Sequence, residues 1–350
     1  MNPVERVIRR VDTVQQSRGP LAFTFGVIKK YGDDNGGALV GNLCYSAFVS
    51  LFPLLLVLVT ILGLVASSDP AVRADALGAV AKQVPLIGGQ LTGNIHQLQR
   101  SSIIGLIVGF LLLIWGSAGL AQAGLFTMAQ VWNLPGPARP GYFQRLGRAG
   151  LFLGVLGLGV IATTLLTSLD TYGHNAVGLV VLAQLLALAL NMGMYLVAFR
   201  VLTPKGVPAR RLIPGAVAGG AAWTGLQALG TFILHHLLHS AHVYGVFATV
   251  LVLVAWINFG VQISVYAAEI NVVLARRLWP RSIVQPPLTE ADRASMAVQA
   301  LQNQRREEED VLVSFNDRPA SARVPRTTPR TPGEIVPPGQ PRRRRRWRRS

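Results

Sequence analysis

The chain has 350 residues, of which 51% are hydrophobic and only 14% are charged, and its formal net charge is +17. So small a charged fraction excludes an ordinary soluble domain and is typical of a polytopic membrane protein. The positive charge does not indicate nucleic-acid binding, because 17 of the 33 Lys and Arg follow the last apolar segment and most others lie in short loops.

The amino-terminal segment, residues 1–35, is predicted to contain a short amphipathic helix, and we expect no cleavable signal in it. Aliphatic residues recur there at helical spacing beside arginines. They are Val4, Val7, Ile8, Val11 and Val14, with Arg6, Arg9 and Arg10 beside them. Two placements of this helix are open, since it can lie on the membrane surface or pack against the membrane domain.

The first apolar segment, Gly36 to Ser68, carries no charge and is long enough to cross a hydrocarbon core of about 30 Å. Its polar residues share one helical face about 140° wide. They are Asn42, Tyr45, Ser46, Ser50 and Pro53. Pro53 should kink the helix. This face either contacts another helix or lines a solute cavity. The single cysteine, Cys44, allows neither an intramolecular disulfide nor a metal cluster.

Five further spans are predicted after a polar connection, residues 69–100, that should include one short surface helix. They cover about Ile103–Met128, Ala149–Leu169, Val177–Phe199, Leu212–Leu234 and Val246–Leu274. Small residues beside Trp115 in the second span, and glycines in the fifth, permit close helix approach. Those glycines are Gly215, Gly219 and Gly220. The fold class is therefore all-α, with six transmembrane helices across residues 36–275.

The sixth span also has one polar face, about 80° wide, formed by Asn258, Gln262, Tyr266 and Glu269. Glu269 is the one acidic residue in any predicted span, and an ionisable group inside a membrane indicates function. If this face meets that of the first span, a polar cavity forms between them, with Trp115 as a further candidate. Alternatively, Glu269 lies near the interface and only pairs with a loop arginine. The arginines in question are Arg145, Arg148 and Arg200.

Orientation follows from the distribution of Lys and Arg over the loops. The amino-terminal segment has six, the loop between the second and third spans three, the loop between the fourth and fifth spans four, and the carboxy-terminal segment 17. The opposite connections have three, none and none. This predicts a multi-pass protein of the cytoplasmic (inner) membrane with both termini in the cytoplasm.

Residues 276–350 are predicted to be a cytoplasmic Pro- and Arg-rich tail that is mostly disordered, with one helix over Glu290–Glu309. The final basic run suits anionic lipid head groups, at about 1 kcal/mol per charge, with an indole inserting at the interface. It comprises Arg342, Arg343, Arg344, Arg345, Arg346, Trp347, Arg348 and Arg349. Contact with nucleic acid, or a merely solvated topology determinant, are the alternatives.

Three histidines lie near the outer end of the fifth span: His235, His239 and His242. They are weak metal candidates, because they extend about 10 Å along a helix, too far to meet one ion unless the helix breaks. There are two other interpretations. The histidines form a polar face at the membrane interface with no further role, or they form a cluster that senses pH near 6.5.

Four runs of residues resemble the YihY/BrkB family of bacterial inner-membrane proteins. They are YSAFVSLFPLLLVLVTILGLV (Tyr45–Val65), IWGSAG (Ile114–Gly119), IPGAVAGGAAW (Ile213–Trp223) and YGVFATVLVLVAWINFGVQISVYAAEIN (Tyr244–Asn271). Ala267 stands where glycine is common in the family. The resemblance covers about Leu21 to Leu274. It implies a transporter or an envelope-integrity protein, and some members carry an older label as the tRNA-processing ribonuclease BN.

We expect a non-enzymatic transporter or lipid-handling protein, without cofactor or metal, whose partners are membrane lipids rather than nucleic acid. The alternatives are a structural, envelope-integrity protein with a lipid- or partner-binding tail, and a membrane-embedded hydrolase or ribonuclease. The nuclease label finds no support in the residues, because after Asp75 the membrane domain contains only Asp170 and Glu269 as acidic groups. The sequence does not determine whether the protein forms a homo-oligomer, which substrate it handles, or what energy source drives transport.

Overall fold

The computed structural model describes residues 3–66, 103–136, 141, 143–152, 154–155, 157–159, 177–203, 206–236 and 245–315, and within these ranges it contains helices and connecting turns but no strand. The helices are α1 (Pro3–Ser17), α2 (Gly19–Asp33), α3 (Gly36–Ala66), α4 (Ile103–Val131), α5 (Val177–Leu202), α6 (Ile213–His236), α7 (Gly245–Arg276) and α8 (Glu290–Gln302). A further helical stretch covers residues 143–152. The predicted all-α class and the amino-terminal helix are thus observed.

Within the described residues, four helices are long and apolar enough to cross a membrane, namely α3, α4, α5 and α7. They correspond to the predicted first, second, fourth and sixth spans. The predicted fifth span is present as one continuous helix, α6, but is not among these four. The predicted third span and the surface helix between residues 69 and 100 lie mainly outside the described residues. Six spans therefore stay a prediction.

Glycines of α6 allow the close packing that the sequence predicts for this helix. A Cβ atom added at Gly220 would lie 2.7 Å from the backbone of Met192 in α5, and one added at Gly215 would overlap the carbonyl oxygen of Ala267 in α7. The backbone of α6 thus touches α5 and α7 directly, and Gly215 N–H donates to Asn271 Oδ1 at 2.7 Å. Any side chain at these two positions would push the helices apart.

Chain connections bring five helix ends together at one end of the bundle, which we call the basal end. Here α3 and α6 begin, and α4, α5 and α7 finish. Side chains close it by donating to the last carbonyls of neighbouring helices, which lack partners within their own helix. Lys30 Nζ donates to Val131 O at 3.1 Å, and Arg276 Nη2 donates to Trp132 O at 2.6 Å.

The segment after α7, residues 277–303, packs against the basal end. Arg281 is only 1% exposed, and Asp292 is fully buried. Helix α8 begins with a capping box in which Thr289 and Asp292 bond reciprocally. The structure differs here from the expected, mostly disordered tail, because ion pairs with α2 order the segment. The expected helix over Glu290–Glu309 is observed as Glu290–Gln302. The basic run Arg342–Arg349 lies outside the described residues.

Candidate functional site

A cavity of about 440 Å³ lies between α3, α4, α5, α6 and α7. Aliphatic and aromatic side chains dominate its lining. They include Leu43 and Leu51 of α3, Met194 and Phe199 of α5, and Leu253 of α7. This volume lies within the range of ligand-binding pockets, which are commonly about 300–1,000 Å³. The cavity therefore has the size and the chemistry to hold an apolar group.

Three polar side chains of the cavity lining, Asn191, Tyr195 and Ser264, have hydrogen-bond partners on neighbouring helices. Asn191 Nδ2 donates to Thr224 Oγ1 at 3.0 Å, which joins α5 to α6. Tyr195 Oη and Ser264 Oγ are 3.1 Å apart, which joins α5 to α7. Because these groups already have partners, a ligand in the cavity meets mainly apolar surface.

The polar face predicted on the first span does not line this cavity. Tyr45 is 70% exposed, and Asn42 is exposed as well. Ser46 and Ser50 donate to carbonyls of their own helix. On α3, the cavity is lined by the face around Ala47, about 120° away from the predicted polar face.

Two residues of that polar face instead form a helix contact. A Cβ atom at Gly116 of α4 would lie 3.3 Å from Pro53 Cγ and 3.4 Å from Ser50 Cα. This agrees with the helix-contact alternative for these positions. Trp115, next to Gly116, is 74% exposed and lies on the outer surface. The structure therefore does not bring Trp115 together with the predicted cavity residues.

The polar face of the sixth span, now α7, is covered by α2 rather than by the first span. Tyr266 stacks on Tyr31, with ring centroids 4.3 Å apart and an interplanar angle of 14°. Gln262 lies next to the Tyr31 side chain. Asn258 is half-buried. Tyr266 thus contacts α2, whereas Ser50 and Pro53 contact α4.

Glu269 belongs to a buried group that we call the basal ion cluster: Lys30, Asp34, Asn133 and Glu269. Lys30 and Glu269 are fully buried, with Lys30 Nζ 3.5 Å from Glu269 Oε2. Lys30 also pairs with Asp34, whose other carboxylate oxygen accepts from Asn133 Nδ2 at 2.9 Å. The cluster joins α2 to the ends of α4 and α7.

The observed partner of Glu269 differs from the arginines that the sequence suggested. Arg148 donates to Thr203 O at 3.4 Å, and Arg200 donates to Val207 O at 3.3 Å. The sequence alone does not single out Lys30, because as one of six basic residues of the amino-terminal segment it contributes to the charge distribution that sets topology. Its position was the available signal, since an adjacent Lys29 and Lys30 occur in a largely apolar stretch just before the first span.

A second network lies next to the basal ion cluster and is formed by Lys29, Asp33, Arg281 and Asp292. Arg281 bonds to Asp33 and to Asp292, each at 2.6 Å, and Lys29 Nζ lies 2.9 Å from Asp292. Burial alone would raise the pKa of Asp292, but hydrogen bonds from Arg281, Lys29 and Ser282 together hold this pKa well below its usual range. Helix α2 is therefore fixed to the bundle on one side and to residues 277–303 on the other.

The described residues contain no group of three or more His, Cys, Asp or Glu side chains that could hold a metal ion. His239, His242 and the side chain of His235 lie outside the described residues. The metal, pH-sensing and plain-interface readings of this cluster therefore stay predictions.

Comparison with known proteins gives a family match and a match to one curated protein, but no match to a solved structure. The family model described as Virulence factor BrkB matches residues 27–289. The chain is also 23% identical over 259 residues to a "UPF0761 membrane protein" of Alcanivorax borkumensis. This alignment covers 71% of this chain and 59% of the relative. The match thus spans less than two thirds of the relative's length. No solved structure matches the chain.

Proposed function

Since the chain belongs to the virulence factor BrkB family of membrane proteins, we propose that it is a lipid-handling protein that holds the apolar part of an amphipathic lipid between α3 and α7. The observation that carries this proposal is the cavity of about 440 Å³ with its mainly apolar lining. Transport of such a lipid across or along the membrane is the activity that this site would serve.

The physical argument rests on what fills an apolar space inside a membrane. An empty space deprives its lining of dispersion contacts, and water gains little there because Asn191, Tyr195 and Ser264 already have hydrogen-bond partners. An acyl chain restores those contacts without a change in polarity. Its affinity then comes from shape rather than from the hydrophobic effect, since lipid tails are as apolar as leucine.

The cavity also supports this function over the alternatives. A purely structural envelope protein is best served by a fully packed bundle, whereas this bundle leaves a ligand-sized space. A hydrolase or ribonuclease needs acidic or nucleophilic groups available to a substrate. Here Glu269, Asp34 and Asp292 are each paired with Lys or Arg. We therefore propose a non-enzymatic role.

We place the protein in the cytoplasmic membrane with six spans and both termini inside. The support is the excess of Lys and Arg in the termini and in alternate loops. In this orientation, the basal end faces the cytoplasm.

The test fills the cavity and measures bound lipid. Ala198→Phe on α5 places a ring in the cavity, whereas Leu185→Phe on the same helix changes a side chain that is exposed on the outer surface. Native mass spectrometry of purified protein should show co-purified lipid on the wild type and on Leu185→Phe, and much less on Ala198→Phe. Thermal unfolding curves should first show that all three proteins are folded. An equal amount of bound lipid on all three would then rule out the cavity as the lipid site.

A further inference from the structure

Helix α1 exposes its apolar residues instead of burying them. Val4, Val7, Val11 and Val14 are between 49% and 66% exposed. On an ideal helix these four side chains lie within about 80° of each other and form one continuous stripe, which we call the valine stripe. A helix on the surface of a soluble protein would turn such a stripe toward the core.

The side of α1 that faces the protein is polar. Asp12 is 7% exposed, and its Oδ1 accepts from the Ile283 backbone N–H at 3.0 Å. Arg9 Nη1 donates to Pro286 O at 3.2 Å. Asp12 lies about 100° around the helix from Val11. Polar contacts to residues 277–303 therefore set the orientation of α1, and they leave the valine stripe uncovered.

One exposed arginine, Arg10, lies on the opposite border of the valine stripe, and Arg6 lies about 40° further around the helix. Arg6 and Arg10 are exposed, and Arg10 lies about 100° from Val11 on the side away from Asp12. A stripe of apolar residues bordered by arginines is the pattern by which a helix lies in the head-group region of an anionic membrane. It complements both the apolar interior and the negative charge of such a surface.

The neighbouring helix continues this surface toward the membrane. Leu21 and Ile28 of α2, which packs on α1, are 47% and 52% exposed. Only two residues separate the end of α2 from the start of α3, which is one of the helices that can cross a membrane. The valine stripe therefore lies close in the chain to a helix that can cross a membrane, and the bilayer is the nearest apolar medium that could cover it.

We propose that α1 is an interfacial helix that binds an anionic membrane surface through the valine stripe together with Arg6 and Arg10. Its Asp12 side meanwhile holds residues 277–303 against the basal end. Helix α1 then connects lipid composition at the membrane surface with the packing of the carboxy-terminal segment. This role is separate from the cavity and does not depend on it.

The experiment uses the full chain in nanodiscs that hold one copy each, which excludes a second copy as the partner of the stripe. In a Cys44→Ser background, Val11→Cys and Thr13→Cys each carry a bimane fluorophore. Thr13 is exposed and lies about 160° from Val11, so it is a matched control on the same helix. Discs contain either phosphatidylcholine alone or phosphatidylcholine mixed with phosphatidylglycerol.

In the mixed discs, the Val11 probe should be quenched by brominated lipid and shielded from iodide, and the Thr13 probe should behave in the opposite way. Arg10→Gln should weaken the membrane-bound state roughly fivefold in mixed discs, as expected for loss of one charge near an anionic surface, and hardly change it in neutral discs. Iodide access that is equal at both positions in mixed discs would overturn the proposal. Shielding of Val11 that is the same in both lipids and insensitive to Arg10→Gln would overturn the role of the arginines.

Discussion

Lys30 Nζ lies 3.5 Å from Glu269 Oε2, and both side chains are fully buried. The pair joins α2 to α7, and Lys30 also contacts Asp34 and the last carbonyl of α4. A buried charge that loses its partner is costly, because its desolvation is no longer offset by attraction. The basal ion cluster therefore contributes to holding α2 on the bundle.

Lys30→Met should destabilise the protein strongly, because it leaves Asp34 and Glu269 buried without their shared cation. Removing one member of a buried pair typically costs about 3–5 kcal/mol. The double variant Lys30→Met/Glu269→Gln should lose clearly less stability than the sum of the losses in the two single variants. Thermal unfolding in detergent, with the exposed Leu251→Ala as the control on α7, measures this coupling. Strictly additive losses would show that the two side chains do not interact.

Asp292→Asn should release residues 277–303 from the basal end, because Arg281 and Lys29 lose their common carboxylate. Trypsin should then cut within this segment in the variant and spare it in the wild type, with cleavage sites assigned by mass spectrometry. Glu290→Gln is the matched control, since Glu290 lies in the same first turn of α8 but is exposed. Protection of the segment in Asp292→Asn would contradict the role of this carboxylate.

The same carboxylate predicts how packing of the segment depends on pH. The pKa of Asp292 is depressed in the folded protein, so its stabilising contribution is fully present above the ordinary Asp pKa of about 3.9 and is lost as pH falls toward the folded pKa. Hydrogen exchange of residues 278–303, corrected for intrinsic rates, should therefore stay constant from about pH 7 to pH 5 and rise only in stronger acid. Asp292→Asn should remove this acid step. A rise already between pH 7 and pH 5 would assign the transition to another group.

Gly220→Ala should destabilise the bundle by about 1–3 kcal/mol, because the added methyl group meets the backbone of Met192 at 2.7 Å. Gly225→Ala on the same helix has open space and should be neutral or stabilising by up to about 1 kcal/mol, as expected from helix propensity. Unfolding curves of the two variants in the same detergent give the comparison. Equal stability would mean that α5 and α6 are not in close contact at Gly220.

Cysteine accessibility tests the proposed orientation. With cysteine placed in turn at Thr171, Ser240 and Ser314, a membrane-impermeant reagent added to intact cells should label the first two and not the third. The native Cys44 is buried and should contribute little background. Labelling at Ser314 in intact cells would reverse the assignment of the carboxy terminus.

Much of the helical architecture follows from the sequence because hydropathy and helix periodicity are local properties. The uncharged run that begins at Gly36 predicts α3, and the glycines of α6 predict a helix that packs closely on its neighbours. The four family-like runs between Tyr45 and Asn271 predict the family that the comparison with known proteins confirms. Each of these inferences needs only residues that are near each other in the chain.

The tertiary structure decided which surfaces meet. Helical spacing places Gln262, Tyr266 and Glu269 on one face, but it does not say that α2 covers this face. The composition of residues 277–303 predicts disorder. In the structure, however, Arg281 bonds to Asp33 and Asp292 bonds to Lys29, each about 250 residues away in the chain. A helical pattern gives the direction of a side chain but not its neighbour. Contacts between distant segments depend on how all helices pack at once, and for this reason the cavity and the ion cluster became visible only in the folded chain.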